Sequence, residues 1–370
     1  MTGGKARLLR SGGPLLGLLA TWLLFAATAG GTFTSWANHE LMLLQTAVVG
    51  IAAIGATWII VGGGIDLSVG SSVAVGTMVG AIALREGASW PLAAAATITA
   101  CTLVGFAIGA LVTGALGRLV LAAMAAALAA QVVSLVTSAD TPATGACLAA
   151  AAVAATATWL ATARLRWSLP LSPFIVTLGL WGALRGLAKG LGGNQPVYFS
   201  GNDDIRWLMM PGSTFLPPGV WALLGCAVVG ALLLRRTVFG RHVQALGSNR
   251  NAARLSGIDV PRTELGSYLV GGACAGVAAV LQLAYLSMGD PTTAQGLELK
   301  AIAAAVIGGA SLAGGEGAIA GTLVGAFVMT IVDNGCTKLG LDNWVQEVAT
   351  GAIIVGAVAL DRARAGARRA

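Results

Sequence analysis

Charged side chains are scarce in this sequence: Asp, Glu, Lys and Arg make up 10% of its 370 residues, against about 25% in a typical soluble domain. Hydrophobic residues make up 56%, and the mean hydropathy is +0.82. A chain of this composition cannot cover its apolar surface with polar groups, so its solvent must be lipid. Most of it falls into apolar blocks of roughly 15 to 24 residues, about the length that a helix needs to cross a bilayer. We therefore predict an all-α polytopic membrane protein.

Groups that bind metals or perform catalysis are also few. The two histidines are far apart, and the five cysteines are scattered with no metal-ligand spacing: Cys101, Cys147, Cys226, Cys274 and Cys336. The sequence contains no GxxxxGK[ST] phosphate loop, no HExxH motif and no Ser/His pair. We expect no metal, no cofactor and no ATP hydrolysis by this chain itself, and an intramembrane enzyme is disfavoured.

The net charge of +7 does not indicate nucleic acid, because Lys and Arg lie in the gaps between apolar blocks, as the positive-inside rule expects. Placing the N-terminus in the cytoplasm puts the richest gap, 235–264, inside as well. Both termini are then cytoplasmic, because the apolar segments are even in number. We count twelve, at about 13–30, 41–61, 67–84, 91–116, 118–137, 145–163, 173–190, 219–234, 265–288, 299–312, 317–334 and 344–361. We interpret the first as an uncleaved helix; a cleaved signal peptide is the alternative.

An internal repeat links two glycine-rich breaks. At an offset of 245 residues, 61–81 matches 306–326 at ten of twenty-one positions, with Val61 aligned to Val306. Both copies lie between a descending and an ascending segment, so we predict two repeats of the same membrane orientation, about 41–116 and 265–361.

The first break, "GGGIDLSVGSS" (62–72), carries a carboxylate between glycines and serines. Broken backbone in a membrane must be buried in protein or line a water-filled cavity, and an intramembrane acid usually faces a pathway or a partner. Asp66, Ser68 and Ser71 are therefore candidates for the lining of a pathway. The alternative is that Asp66 caps the following helix.

The gap 235–264 predicts a short helix of its own. Ser248 or Asn249 can cap the stretch "RNAARLS", and Gly257 would end it. The small residues Ala252 and Ala253 would let that helix dock closely into a partner's groove. The alternative is a basic loop that only sets topology.

The stretch "TVFGRHVQALGSNRNAARLSGIDV" (237–260) resembles the cytoplasmic coupling loop of permease subunits from ribose/xylose-type bacterial ABC sugar importers. Four further stretches resemble other parts of that family in the same order, and Arg185 and Gly186 match its central motif. These stretches are "GGGIDLSVGS" (62–71), "SPFIVTLGLWGALRGLA" (172–188), 299–335 and 344–361.

The resemblance implies a single permease domain over 1–370 in the bacterial inner membrane, importing a monosaccharide, with a pentose such as xylose or ribose expected. It implies a cytoplasmic ABC ATPase, an extracytoplasmic sugar-binding protein and a second permease subunit, expected to be an identical copy, as partners in the bilayer. The implied contacts with the ATPase are Arg241, Asn249, Ala252, Ala253, Arg254, Leu255, Ser256 and Gly257. Candidate pathway residues are Asp66, Ser68, Ser71, Asp333, Asn334, Trp344 and Gln346.

One departure from the family pattern is an insertion at 117–171, long enough for two extra helices. A secondary transporter of a small polar solute is the alternative function, since such proteins also use repeats and broken helices. It would need ionisable groups within the membrane for ion coupling, and Asp66 is the clearest candidate.

Overall fold

The computed structural model describes residues 3–114, 171–199, 203–211 and 216–366, together with isolated positions between 117 and 161. The predicted insertion 117–171 therefore lies almost entirely outside the described residues. Within them the chain is helical, apart from two short strands and the connections between elements. This confirms the predicted all-α class.

The helices are α1 (Gly3–Ala29), α2 (Gly31–Thr34), α3 (Trp36–Val61), α4 (Val69–Arg85), α5 (Trp90–Val112), α6 (Pro173–Leu191), α7 (Pro218–Arg236), α8 (Val238–Ser248), α9 (Arg250–Leu255), α10 (Val260–Leu286), α11 (Leu297–Ile307), α12 (Ile319–Lys338) and α13 (Asn343–Gly366). Asp203–Met209 forms a 3₁₀ helix. The strands β1 (Val197–Tyr198) and β2 (Met288–Gly289) pair antiparallel. Six of these helices, α3, α5, α6, α7, α10 and α12, are long and apolar enough to cross a membrane.

Helix α3 forms the centre of the fold. From Leu41 onward it is largely apolar, and 89% of its most apolar stretch is buried inside the protein. Helices α7, α10, α11 and α12 pack against it. Helix α10 also packs tightly on α5, because a Cβ at Gly105 or Gly272 would overlap the backbone of the other helix. Small residues at such crossings let membrane helices approach closely.

The two glycine breaks end their helices in the same way. Helix α3 closes with hydrogen bonds from Gly63 N to the Ile60 oxygen (2.9 Å) and from Gly64 N to the Ile59 oxygen (2.9 Å). Helix α11 closes identically, with Gly309 N bonded to the Val306 oxygen at 2.9 Å. Gly63 and Gly309 both have positive φ, 83° and 94°, the conformation that favours glycine at a helix end.

These equivalent bonds relate Ile60 to Val306, an offset of 246 residues, whereas the sequence comparison aligns the breaks at 245. The connection after Gly309 is also longer, because α12 begins at Ile319 while α4 begins at Val69. The two helix ends are therefore equivalent at an offset one residue larger than that of the sequence comparison, and the repeat itself stays a prediction.

Candidate functional site

A cavity of about 360 Å³ lies at one end of the molecule, which we call the cavity end. Parts of α3, α10, α11, α12 and α13 form its walls. Its polar lining consists of amide, hydroxyl and charged groups: Gln45, Gln282, Tyr285, Gln295, Lys300, Thr330, Asp333, Asn334, Thr337, Lys338 and Gln346. Small-molecule sites typically have volumes of roughly 300–1,000 Å³, so this cavity is large enough for a small polar solute.

A close ion pair crosses the cavity wall. Lys300 Nζ on α11 lies 2.6 Å from Asp333 Oδ2 on α12, and the two side chains are 29% and 22% exposed. Partial burial makes such a pair stronger than one at the surface, because water screens it less. The pair joins the two helices of the second repeat and presents charged groups of both signs to the cavity.

The predicted pathway residues near this end take different positions. Asp333, Asn334 and Gln346 line the cavity. The Asn334 amide, however, exchanges hydrogen bonds of 2.9 and 3.0 Å with Asn38 on α3, so it holds α12 to α3. Trp344 is 66% exposed and is not part of the cavity lining.

The three pathway candidates of the first break lie away from this cavity. Asp66 Oδ1 accepts hydrogen bonds from the Ser68 amide at 2.8 Å and the Ser68 hydroxyl at 2.6 Å, and both residues are buried. The Ser71 hydroxyl donates to the Trp181 carbonyl oxygen at 2.7 Å. Asp66 thus fixes Ser68, the residue before α4, but no side chain caps an amide of that helix. A contact with substrate stays a prediction for all three residues.

At the other end of α3 lies the segment that was predicted to couple to an ATPase. Helix α9 forms as predicted: the Asn249 side chain accepts from Ala252 N at 3.0 Å, and Gly257 follows the helix with φ 82°. Ser248 is the last residue of α8 and donates to the Gln244 oxygen, so Asn249 is the cap.

Helix α9 presents an exposed face made of Ala252, Arg254 and Leu255, and Leu255 is 89% exposed. Ala253 points the other way and is 3% exposed. The expectation that both alanines contact a partner is therefore corrected for Ala253, which packs inside this chain. Arg241, Asn249, Ser256 and Gly257 are exposed around the same helix.

Two side-chain contacts attach α8 and α9 to the core. Arg250 donates to both carboxylate oxygens of Glu264, at 2.9 and 2.7 Å. The hydrogen bonds to Glu264 raise the pKa of Arg250, which keeps the guanidinium charged. The ring of Phe239 stacks on that of Trp58, one turn before the end of α3, with centroids 5.4 Å apart. The short helices therefore move with α3 and α10.

Backbone contacts bring α8 against both glycine breaks, in a cluster that we call the glycine junction: Val61, Gly63, Gly247, Gly314 and Gly315. The amide of Gly315 donates to the Val61 oxygen at 2.8 Å. A Cβ at Gly247 would overlap that same oxygen and the Gly315 amide. Because the junction is made of main chain, a displacement of α8 acts on both breaks together.

The cavity and the junction lie at opposite ends of the same helices. Gln45 and Val61 are both on α3, and a helix of this spacing separates them by about 24 Å. Helix α10 runs likewise from Glu264, beside α9, to Gln282 at the cavity. A movement of either helix at the end that carries the glycine junction therefore also displaces its residues at the cavity.

Sequence reasoning missed several cavity residues, including Gln45, Gln282 and Lys300. A signal was present for the two glutamines, since each is a single amide within an apolar run, "LLQTAVV" and "VLQLAY", and a polar group there usually has a function or a partner. It also missed Glu298, which falls between the predicted segments 265–288 and 299–312 and is 7% exposed.

Comparison with known proteins shows the family of this chain. Residues 110–358 match the family model described as "Branched-chain amino acid transport system / permease component". The ribose import permease protein RbsC of Escherichia coli is 34% identical over 93% of this chain and 92% of its own length.

The xylose transport system permease protein XylH of the same species is 31% identical over 94% of this chain and 90% of its own length. The probable ABC transporter permease protein YphD is 41% identical over 50% of this chain and 55% of that protein, about half of each. No solved structure matches the chain. The chain therefore belongs to this family of multi-pass membrane permease components, which fits its described helices, polar cavity and exposed short helix.

Proposed function

We propose that this chain is the membrane-spanning subunit of an ATP-driven importer and forms the pathway for a monosaccharide, with a pentose as the expected substrate. The observation that carries the proposal is the polar cavity at one end of α3 and α10 with the exposed helix α9 at the other end. A secondary transporter has no need of such a helix.

The chemistry of the cavity fits a sugar. Its lining combines neutral amides and hydroxyls with one ion pair and Lys338, and these groups can donate to and accept from several sugar hydroxyls at once. Relatives that align over most of their length carry ribose, xylose or L-arabinose in their names. Asp333 and Gln346 are the proposed solute contacts, together with Gln45, Gln282 and Lys300.

We assign the proposed partners to the cavity end and to the opposite end of the molecule, which carries α9. A cytoplasmic ABC ATPase would receive Leu255 and Arg254 of α9, an extracytoplasmic binding protein would deliver the sugar at the cavity end, and a second copy of the chain would complete the pathway. Both termini are then cytoplasmic. ATP binding to the partner would shift the permease between two conformations through the glycine junction, because the ATPase binds one of them better.

The test is uptake by proteoliposomes that hold the full chain, its ATPase and a sugar-binding protein. Radiolabelled D-ribose, D-xylose, L-arabinose and L-leucine are the probes, since the family description names amino acids. We expect uptake of a pentose that needs ATP on the ATPase side. Uptake that persists without the ATPase would overturn the proposal in favour of a secondary transporter, and uptake of leucine alone would overturn the sugar assignment.

A further inference from the structure

The segment 290–298, which follows β2 and includes the first two residues of α11, forms part of the cavity wall through Ala294, Gln295 and Leu297. Its backbone is unusual, because Ala294 has φ 56° and Gly296 has φ 79°. Alanine rarely adopts this left-handed conformation, so contacts from the surrounding protein must hold it there.

Side chains of two helices hold the segment: Gln282 Nε2 on α10 donates to Thr293 Oγ1 at 2.9 Å, and α6 supplies the other contacts. Arg185 Nη1 donates to the carbonyl oxygens of Pro291 at 2.9 Å and Thr293 at 2.7 Å. One turn earlier, Trp181 Nε1 donates to Glu298 Oε1 at 3.2 Å. Helix α6 therefore binds the segment at both of its ends.

Two buried polar atoms beside these bonds have no partner among the described residues: Arg185 Nη2 and Glu298 Oε2. The two side chains carry opposite charges and interact electrostatically. Burying charged groups without full pairing is costly, and such atoms call for an explanation. A conformation that joined Nη2 to Oε2 would satisfy both atoms.

We propose that Trp181, Arg185 and Glu298 are positioning residues for transport. They hold segment 290–298 as a wall of the cavity in this conformation, and Arg185 pairs directly with Glu298 when the wall moves to let the solute pass. This gives a role to Arg185, which the sequence analysis singled out only as part of a family motif. The second half of the inference rests on the proposed function.

The first test does not depend on transport. Hydrogen exchange is measured on the full chain in nanodiscs, comparing wild type with Arg185→Gln and with Lys189→Gln, a control that removes an exposed charge one turn along α6. We expect the amides of 290–298 to exchange at least about tenfold faster in Arg185→Gln alone, with those of α12 unchanged. Unchanged exchange in 290–298 would overturn the positioning role. Trp181→Phe, which removes one donor and keeps a ring, should give a smaller change in the same segment and serves if Arg185→Gln does not fold.

The second test concerns the pairing, in the proteoliposome assay. Arg185→Gln and Glu298→Gln should each lower the maximal uptake rate at least about tenfold, while binding of the ATPase to α9 is unchanged. The double variant should transport better than the product of the two losses predicts, because neither buried charge is left alone. Losses that simply multiply would overturn the pairing. If wild type and Lys189→Gln show no ATP-dependent uptake, the proposed function fails and with it the pairing, while the exchange result still decides the positioning role.

Discussion

Gly247, near the end of α8, lies against the main-chain oxygen of Val61 so closely that a Cβ at position 247 would overlap it. The same oxygen accepts the hydrogen bond from Gly315 N. One carbonyl group at the end of α3 is therefore in contact with the coupling segment and with the second glycine break. Through this contact a displacement of α8 would reach the end of α3 and the second break together.

We expect Gly247→Ala to uncouple the permease. The added methyl group would meet backbone atoms of Val61 and Gly315, which cannot turn aside as a side chain does, so α8 must shift. Sugar uptake and sugar-stimulated ATP hydrolysis should fall at least about tenfold, while the ATPase still binds. Gly225→Ala is the matched control, because a Cβ there has open space around it. Full activity in Gly247→Ala would show that the junction does not transmit motion.

A second prediction concerns the exposed face of α9. Leu255 is 89% exposed in the isolated chain, so Leu255→Asp should leave the fold intact and weaken ATPase binding by about 30-fold or more, as loss of a central contact does. Binding is measured with the permease in nanodiscs and the thermal unfolding temperature is measured alongside. Leu255→Met, which keeps the apolar volume, is the control. Binding that is unchanged by the aspartate would place the ATPase elsewhere.

Substitution of Ala253 should change the stability of the permease, in contrast to substitution of Leu255. Because this side chain is 3% exposed, Ala253→Trp should overpack the contact between α9 and the core and lower the thermal stability of the permease itself. If Ala253→Trp weakens ATPase binding with no loss of stability, the orientation of α9 described here is wrong.

The features that the sequence predicted well are local ones. The Asn249 cap and the stop at Gly257 are encoded within a few residues. The twelve predicted apolar segments include all six described helices that are long and apolar enough to span, but apolar length did not separate these six from the shorter helices. What it could not predict depends on packing between distant segments. The inward orientation of Ala253 and the burial of Glu298 beneath α6 are set by neighbours far along the chain.

The offset of the repeat illustrates the same limit. Residue identity favours 245 because it maximises matches between glycines, whereas the helix-ending hydrogen bonds of Gly63 and Gly309 give 246. In a sequence so rich in glycine and alanine, an alignment shifted by one residue still matches many identical residues. The hydrogen bonds distinguish the two registers, because they fix the residue at which each helix ends.

The ion pair in the cavity gives a further prediction. Asp333→Asn should raise the sugar concentration at half-maximal uptake about tenfold, because Lys300 loses the partner that lies 2.6 Å away and the cavity gains an unpaired positive charge. The maximal rate should change less. Asp342→Asn, an exposed aspartate before α13 that is not in the cavity lining, is the control. An unchanged half-saturating concentration would remove Asp333 from the solute contacts.

The last prediction separates structure from binding at Asn334, which lines the cavity but exchanges two hydrogen bonds with Asn38. Replacing either residue with alanine leaves a buried amide unsatisfied, which costs about 1–3 kcal/mol. Asn38→Ala and Asn334→Ala should therefore both lower thermal stability, Asn38→Ala by more because Asn38 Nδ2 also donates to the Phe33 oxygen at 2.9 Å. The double variant should lose less than the sum. Uptake by the protein that stays folded should keep its half-saturating sugar concentration. A raised concentration in Asn334→Ala but not in Asn38→Ala would instead make Asn334 a direct contact of the sugar, because only that side chain faces both the cavity and α3.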